Sequence, residues 1–289
     1  MEFRVEIKAF FDPTTHTVSY VVSDPSKREC AIIDPVLDYD PRSGRTATHC
    51  AAQIIEHVRT FKLVPRWILE THVHADHITA AQYMRQVLGG AVAIGSRVTD
   101  VQRSFTKVFN SAPDVPSDGS QFDHLFTDEE LFFIGEVPAR ALSTPGHTPA
   151  CMTYVIGDAA FVGDTLLMPD AGTARTDFLG GSASILFHSI QKILSLPPPT
   201  RIFVGHDYGT PERTAFAWES TVGEQRRSNI HLKNGTDEAA FVRMRTGRDA
   251  TLEVPNLMLP AVQVNIRAGR LPSPESNGVH YLKIPVNVI

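Results

Sequence analysis

The sequence predicts an α/β protein layered as α/β/β/α, and three observations predict it. Short runs rich in β-branched and aromatic residues fill both halves of the 289-residue chain. Segments with apolar residues at helical spacing lie between and after them. Pro, Gly and Asp clusters punctuate the joins. Strands mixed with helices that cover one face of each sheet give the layered body.

In order, VEIKAFF (5–11), TVSYVVSD (17–24) and ECAIIDPV (29–36) read as strands, separated by Asp12-Pro13 and Asp24-Pro25. The polar stretch 38–45 reads as a loop. Ala51, Ile54, Ile55 and Val58 recur at helical spacing and predict a helix over 47–61. RWILET (66–71) is a short buried strand, and HADHITAAQYMRQVLGG (74–90) a helix closed by glycines. AVAIG (91–95) is a strand, and 98–108 a helix. LFFIGEVPARAL is β-rich, and MTYVIGDAAFVGDTLL a hairpin turning at Gly157-Asp158. A helix over 182–196 stops at Pro197-Pro198-Pro199. RIFVGHD (201–207) is a strand. Helices follow over 221–228, 236–246 and 257–267, and YLKIPV closes the chain as a strand. The expected organisation is a single domain over 1–289 with a C-terminal helical extension, because the candidate metal residues run from His72 to His206 and must converge.

The chain is 42% hydrophobic and 20% charged, ordinary for a globular protein. A net charge of −5 gives no reason to expect nucleic acid or an anionic membrane as partner. No run approaches the roughly 20 apolar residues that span a bilayer. Three cysteines are too few for a disulfide framework, and the N-terminus lacks the apolar run of a signal peptide. The expected location is the cytoplasm. A homodimer would form on an apolar edge or on the C-terminal helices.

Four stretches carry chemistry, each just after an expected strand, where catalytic residues commonly sit. They are Thr71-His72-Val73-His74-Ala75-Asp76-His77, Pro145-Gly146-His147, Gly163-Asp164-Thr165 and Gly205-His206-Asp207. Alternation along an extended chain puts His72 and His74 on one side, and the following turn aims Asp76 and His77 at a neighbouring point. Three histidines and one aspartate within six residues suit a metal ion: neutral imidazole binds zinc or iron, and a carboxylate neutralises charge. Asp76 also has the chemistry of a helix N-cap. His147, Asp164 and His206 gain meaning only together. The other histidines, His16 among them, have no partners in a motif.

The pattern HxHxDH, then His147, Asp164 and His206, resembles the metallo-β-lactamase superfamily, over most of the chain. The resemblance implies an αββα sandwich with the metal at one edge between the sheets. In dinuclear members one ion takes the positions of His72, His74 and His147, the other takes Asp76, His77 and His206, and Asp164 bridges.

The flanking runs ETHVHADHITAA, PGHTPACMTYVIGD, GDTLL, RTDF and NIRAG resemble the persulfide dioxygenase branch. Hydroxyacylglutathione hydrolases carry a third histidine where Val73 stands and glycines where Thr79 and Ala80 stand. The segment MPDAGTA departs from the GCG-type stretch of many persulfide dioxygenases. The resemblance implies one Fe(II) per chain held by His72, His147 and Asp164, with His74, Asp76, His77 and His206 orienting ligands and water. It implies glutathione persulfide and O2 as substrates, with sulfite and glutathione as products. Tyr208 resembles a tyrosine that contacts glutathione, and Arg175, Arg226 and Arg227 are candidate partners for its carboxylates by charge. Arg175 has a rival use in pairing with Asp177. Cys151 lies close in sequence to His147, and a small buried hydrophobe is its competing reading. The alternatives are a dinuclear zinc hydrolase of a glutathione thioester, lactone or related ester, and a non-enzymatic metal-dependent sensor.

Overall fold

The computed structural model describes residues 4–112 and 114–288. Strands β1 (Glu6–Phe11), β2 (Val18–Ser23) and β3 (Glu29–Ile33) form at the three N-terminal runs and pair antiparallel, with Glu6 opposite Ser23 and Tyr20 opposite Ile33. The stretch expected as a loop is instead a hairpin, β4 (Val36–Asp40) with β5 (Arg45–Ala47). Its turn is polar, which hid it: the Asp40 carboxylate accepts from the Arg42 amide and the Ser43 hydroxyl.

Helix α1 (His49–Thr60) buries Ala51, Ile54, Ile55 and Val58, the face expected from spacing. Strand β6 (Val64–Leu69) runs parallel to β3, with Ile33 opposite Leu69. The long helix expected from His74 starts only at Ala81. Ile78 and Thr79 form strand β7 (Ile78–Thr79), paired with Leu37 and Val36, and α2 (Ala81–Leu88) follows. Pairing with β4 satisfies backbone groups that a helix would have used, so the metal-binding loop is irregular. Asp76 therefore caps no helix; the N-cap position of α2 is Ala80. Strand β8 (Ala91–Gly95), helix α3 (Val98–Val108) and strand β9 (His124–Phe126) complete the first half.

The second half opens with β10 (Glu130–Ile134), β11 (Val137–Ser143), β12 (Met152–Ile156) and β13 (Ala159–Phe161), antiparallel neighbours in series. Helix α4 (Ala183–Leu194) starts at Ser182, whose side chain accepts from the Ile185 amide. Strand β14 (Arg201–Phe203) lies parallel to β13, and β15 (Glu219–Thr221) pairs antiparallel with it. Helices α5 (Val222–Ser228), α6 (Glu238–Asp249) and α7 (Met258–Asn265) follow. No strand forms over 281–286. The main chain of Lys283 bonds the side chain of Gln263 on α7 rather than a neighbouring strand.

One six-stranded sheet has the order β1-β2-β3-β6-β8-β9, a second β10-β11-β12-β13-β14-β15, and a small third sheet has the order β5-β4-β7. Alternation along β3 divides its side chains: Ala31 and Ile33 enter the inter-sheet core with Leu69, Tyr154, Phe161 and Phe203, whereas Cys30 and Ile32 face α1, α2, α3 and α7. The outer face of the second sheet packs Ala160 and Ile202 against Leu186, Ile190 and Phe241 of α4 and α6. The order of layers is helix, sheet, sheet, helix, as expected. Each buried aromatic between the sheets contributes about 1.5–3 kcal/mol. The two tyrosine hydroxyls there are satisfied, by the carbonyls of Val204 and Glu70. Among the described residues no helix is long and apolar enough to cross a membrane.

Candidate metal centre

The four motif stretches leave their sheets at one edge. His72 follows β6, His147 follows β11, Asp164 follows β13, and His206 follows β14. Two glycines make the convergence sterically feasible. A Cβ on Gly163, whose φ is +51°, would stand 2.7 Å from the Thr71 hydroxyl, and one on Gly205 would stand 2.8 Å from Oδ1 of Asp164.

Three donors face a common point. Oδ2 of Asp164 lies 3.7 Å from Nε2 of His72 and 3.6 Å from Nε2 of His147. All three ligand atoms lie within 4.8 Å of one another. Both imidazoles are fixed from behind. Nδ1 of His147 donates to the Arg175 carbonyl at 2.8 Å. Nδ1 of His72 donates to the Thr71 hydroxyl at 3.0 Å, and that hydroxyl donates to Asp34, which also accepts from the Thr71 amide. These bonds set the tautomer that leaves Nε2 of each ring free to coordinate. Asp34 holds this position at φ +47°, unusual for a residue with a side chain.

Nε2 of His72 is buried with no hydrogen-bond partner among the described residues. An orphaned buried nitrogen facing a second histidine and a carboxylate fits a metal ion, because two imidazoles and one carboxylate are an ordinary donor set for one. Burial, and then the neighbouring His74, push the pKa of His72 well below the ordinary histidine value; burial also lowers that of His147. Neutral imidazole is the form a metal requires.

The remaining motif residues make further groupings: His74, Asp76 and His77 lie close enough to share an ion, and Nδ1 and Nε2 of His74 and Nε2 of His77 are also buried without a hydrogen-bond partner among the described residues. His74 shares a side with His72, their ring centroids 4.0 Å apart, but its Nε2 is 3.0 Å from Asp34 and 3.4 Å from Glu70. Burial opposes charge on His74, yet Asp34 and Glu70 together outweigh it and raise the pKa. His206 spans two carboxylates: Nδ1 is 2.5 Å from Oδ1 of Asp164 and Nε2 is 2.7 Å from Oδ2 of Asp76. Burial again disfavours charge, but Asp164 and Asp76 hold its pKa well above the ordinary value. His77 meets Asp76 at 2.8 Å, and the Thr17 hydroxyl touches Asp76, His77 and His206. Asp76, Asp164 and His206 form another group compact enough for an ion.

The metal edge opens into a cavity of about 600 Å³ walled by His147, Asp164, Phe178, Tyr208 and Arg248 among others. The Tyr208 ring stacks on His206 at 5.7 Å. Arg175 lines the cavity, but its guanidinium grips Asp177 through two bonds of 2.6 Å and lies over Phe178. Arg226 is elsewhere: it donates to the Leu194 and Leu196 carbonyls at the end of α4. Arg227 likewise stands outside the cavity wall, exposed on α5 with its guanidinium beside Gly223.

No motif marks Arg248, which reaches the cavity from α6. Arg245, one turn earlier, is bound to Asp249, whereas exposed Arg248 has no such partner among the described residues. His16, set aside as a lone histidine, is in the cavity wall against Tyr208, at a centroid distance of 5.3 Å. Asn265, within the NIRAG run, clamps the ligand loop: its amide donates to the carbonyls of His74 and His77 and accepts from the Thr79 amide. Cys151 is a buried brace of the His147 loop, its sulfur meeting the amide and hydroxyl of Thr148.

A family model described as the metallo-beta-lactamase superfamily matches residues 12–206. A "Probable metallo-hydrolase" of Burkholderia pseudomallei (strain 1710b) is 55% identical over 98% of this chain and 99% of its own length. The "Beta-lactamase hydrolase-like protein" of Agrobacterium fabrum is 56% identical over 98% of this chain, which spans 65% of that longer protein. "Persulfide dioxygenase ETHE1, mitochondrial" of Homo sapiens is 33% identical over 91% of this chain and 88% of its own. Among solved structures, that of ETHE1 from Myxococcus xanthus superposes with a TM-score of 0.72 at 26% identity, over 92% of this chain and all of the other.

Proposed function

This chain belongs to the metallo-beta-lactamase superfamily, and from that premise we propose that it is a mononuclear iron persulfide dioxygenase acting on glutathione persulfide. One observation carries the reading. His72, His147 and Asp164 bring three donor atoms to one point, with Nε2 of His72 unpartnered among the described residues, while both nitrogens of His206 face carboxylates. A facial set of two histidines and one carboxylate leaves adjacent positions open. A ferrous ion held by these three residues would supply the redox and Lewis-acid chemistry needed to oxidise a persulfide sulfur with dioxygen.

The chain's own residues do the rest. Thr71 and Asp34 hold His72, and the Arg175 carbonyl holds His147, so neither ring turns. His206 keeps Asp164 ionised and its Oδ2 aimed at the metal point. Arg248 offers a cation to a glutathione carboxylate, and Tyr208 offers a ring and a hydroxyl to the peptide body. The similarity to persulfide dioxygenases supports this reading.

A second reading, a dinuclear hydrolase of a glutathione thioester, lactone or related ester, is favoured by the compact group of Asp76, Asp164 and His206 and by the 55% identical probable metallo-hydrolase. There two ions would share a hydroxide nucleophile. Anaerobic purification with metal analysis, followed by oxygen uptake with glutathione persulfide and a parallel thioester hydrolysis assay, separates the two. One iron per chain with oxygen consumed is the expected result. Two zinc ions with thioester cleaved and no oxygen uptake would overturn the dioxygenase reading.

A further inference from the structure

We propose that a small apolar cavity behind His147 is a pocket that holds dioxygen beside the metal point, an inference that rests on the dioxygenase reading. The cavity, about 20 Å³, lies between Val73 of the ligand loop, Val101 and Phe105 of α3, Phe178, and Val262 of α7, with His147 in its wall. Val73, Val101, Phe105 and Val262 are all buried.

A space of this size exceeds the roughly 10–15 Å³ that one water requires, but a water also needs two to four polar partners. Apart from Nε2 of His147, which faces Asp164, the side-chain polar groups in this wall are already engaged. Nδ1 of His147 bonds the Arg175 carbonyl, and the Thr148 hydroxyl bonds the Cys151 sulfur. A cavity so lined stays dry and takes apolar guests, as dry cavities in proteins take xenon. Dioxygen is an apolar diatomic of the right size.

Position gives the pocket its use. It shares Ala75, His147 and Phe178 with the large cavity, so the two spaces adjoin at His147, one of the three proposed metal donors. An anionic persulfide suits the large cavity with its free arginine, and it is excluded from the small one by size and by the cost of desolvating its charge. Exposed Leu179 stands in the pocket wall at the protein surface. The geometry thus gives gas and thiol separate approaches, and neither displaces the other.

Two experiments test this. Crystals of the metal-loaded protein pressurised with xenon are expected to show one xenon atom in contact with Phe105, Phe178 and Val262; an empty pocket overturns the proposal. Val101→Ile and Val262→Ile each add one methylene to the void. They are expected to abolish the xenon peak and to raise KM for oxygen severalfold. KM for glutathione persulfide, kcat at saturating oxygen and metal content are expected to stay as in the wild type. Oxygen uptake with KM for oxygen unmoved in the filled variants sinks the pocket and leaves the dioxygenase reading standing. No oxygen uptake by the wild-type, iron-loaded enzyme sinks both.

Discussion

Oδ1 of Asp164 receives Nδ1 of His206 at 2.5 Å, while Oδ2 of the same carboxylate faces His72 and His147 at 3.7 and 3.6 Å. The two oxygens of one side chain therefore serve different masters. One belongs to the metal point, and the other is held by a histidine that a second carboxylate, Asp76, holds in turn. In the proposed mononuclear arrangement His206 orients Asp164 and is no ligand.

That division gives the first prediction. His147→Ala removes one of three donors and is expected to abolish metal retention. His206→Ala is expected to keep one metal per chain, with affinity lowered about 10–100-fold, the usual cost of losing a partner that orients a ligand. Metal analysis after desalting reads both. Equal loss in the two variants would show that His206 is itself a ligand and would favour the dinuclear arrangement.

Arg248 and Arg226 make a contrasting pair. Arg248 faces the cavity and Arg226 caps the end of α4. Arg248→Ala removes a charge-assisted contact worth about 1.5–3 kcal/mol and is expected to raise KM for glutathione persulfide by roughly 10–100-fold, with kcat and melting temperature little changed. Arg226→Ala is expected to lower the melting temperature and leave KM alone. Steady-state kinetics beside thermal melts decide it; an Arg248 variant with unchanged KM removes this residue from the substrate site.

The layered fold and the grouping of His72, His147 and Asp164 were legible because each depends on local pattern. Ile54 and Val58 mark a helix face, and His72, His147 and Asp164 sit in short runs that end strands. What was not legible depends on contacts far apart in sequence. The helix expected from His74 yields to pairing between Leu37 and Ile78, which no local rule displays. The hairpin at 36–47 is polar, so its strands carry little apolar signal. Choosing among arginines by charge alone selected Arg226 and Arg227, which stand outside the cavity wall, and passed over Arg248, which lines it, because orientation is set by how α5 and α6 pack. His16 joined the cavity only through the fold of the β1–β2 loop.

His231 gives a pH prediction. Burial, with Arg245 and Arg248 nearby, lowers its pKa to about 4, and its Nδ1 accepts from the Thr173 amide, which needs the neutral ring. An unfolded histidine titrates near 6.5. Between those values the unfolded chain binds a proton that the folded chain refuses, so stability falls as pH drops from about 6.5 towards 4. Melting temperature against pH is expected to slope downward through this window in the wild type and less steeply in His231→Gln. Parallel curves would show that the ring is not held neutral.

Asp249 gives a stability prediction with a functional consequence. It is buried, pairs with Arg245, and accepts from both the amide and the hydroxyl of Thr176. Asp249→Ala leaves a buried arginine unpaired and is expected to cost about 3–5 kcal/mol. Thr176 adjoins Arg175, whose carbonyl holds His147, so metal affinity is expected to fall with stability. Chemical denaturation of the metal-free protein measures the first effect, and a loss below 1 kcal/mol would contradict it.

Asn265 connects the last helix to the metal loop and is the most direct test of what that helix does. Its side-chain amide donates to the carbonyls of His74 at 2.9 Å and His77 at 2.8 Å, and its oxygen accepts from the Thr79 amide. All three bonds are buried, and the loop they hold has few backbone partners of its own. Asn265→Ala strands one amide and weakens two carbonyls, at about 1–3 kcal/mol for each unsatisfied group. At roughly 2–4 °C per kcal/mol for a chain of this general size, the melting temperature is expected to fall by about 5 °C or more. His72 precedes this loop, so metal affinity is expected to fall as well. Asn265→Asp separates the contributions: it keeps the acceptor for Thr79 but presents a negative charge to the two carbonyls, and is expected to be worse than Asn265→Ala for metal binding. If Asn265→Asp retains iron as the wild type does, the clamp on His74 and His77 is not what positions the loop.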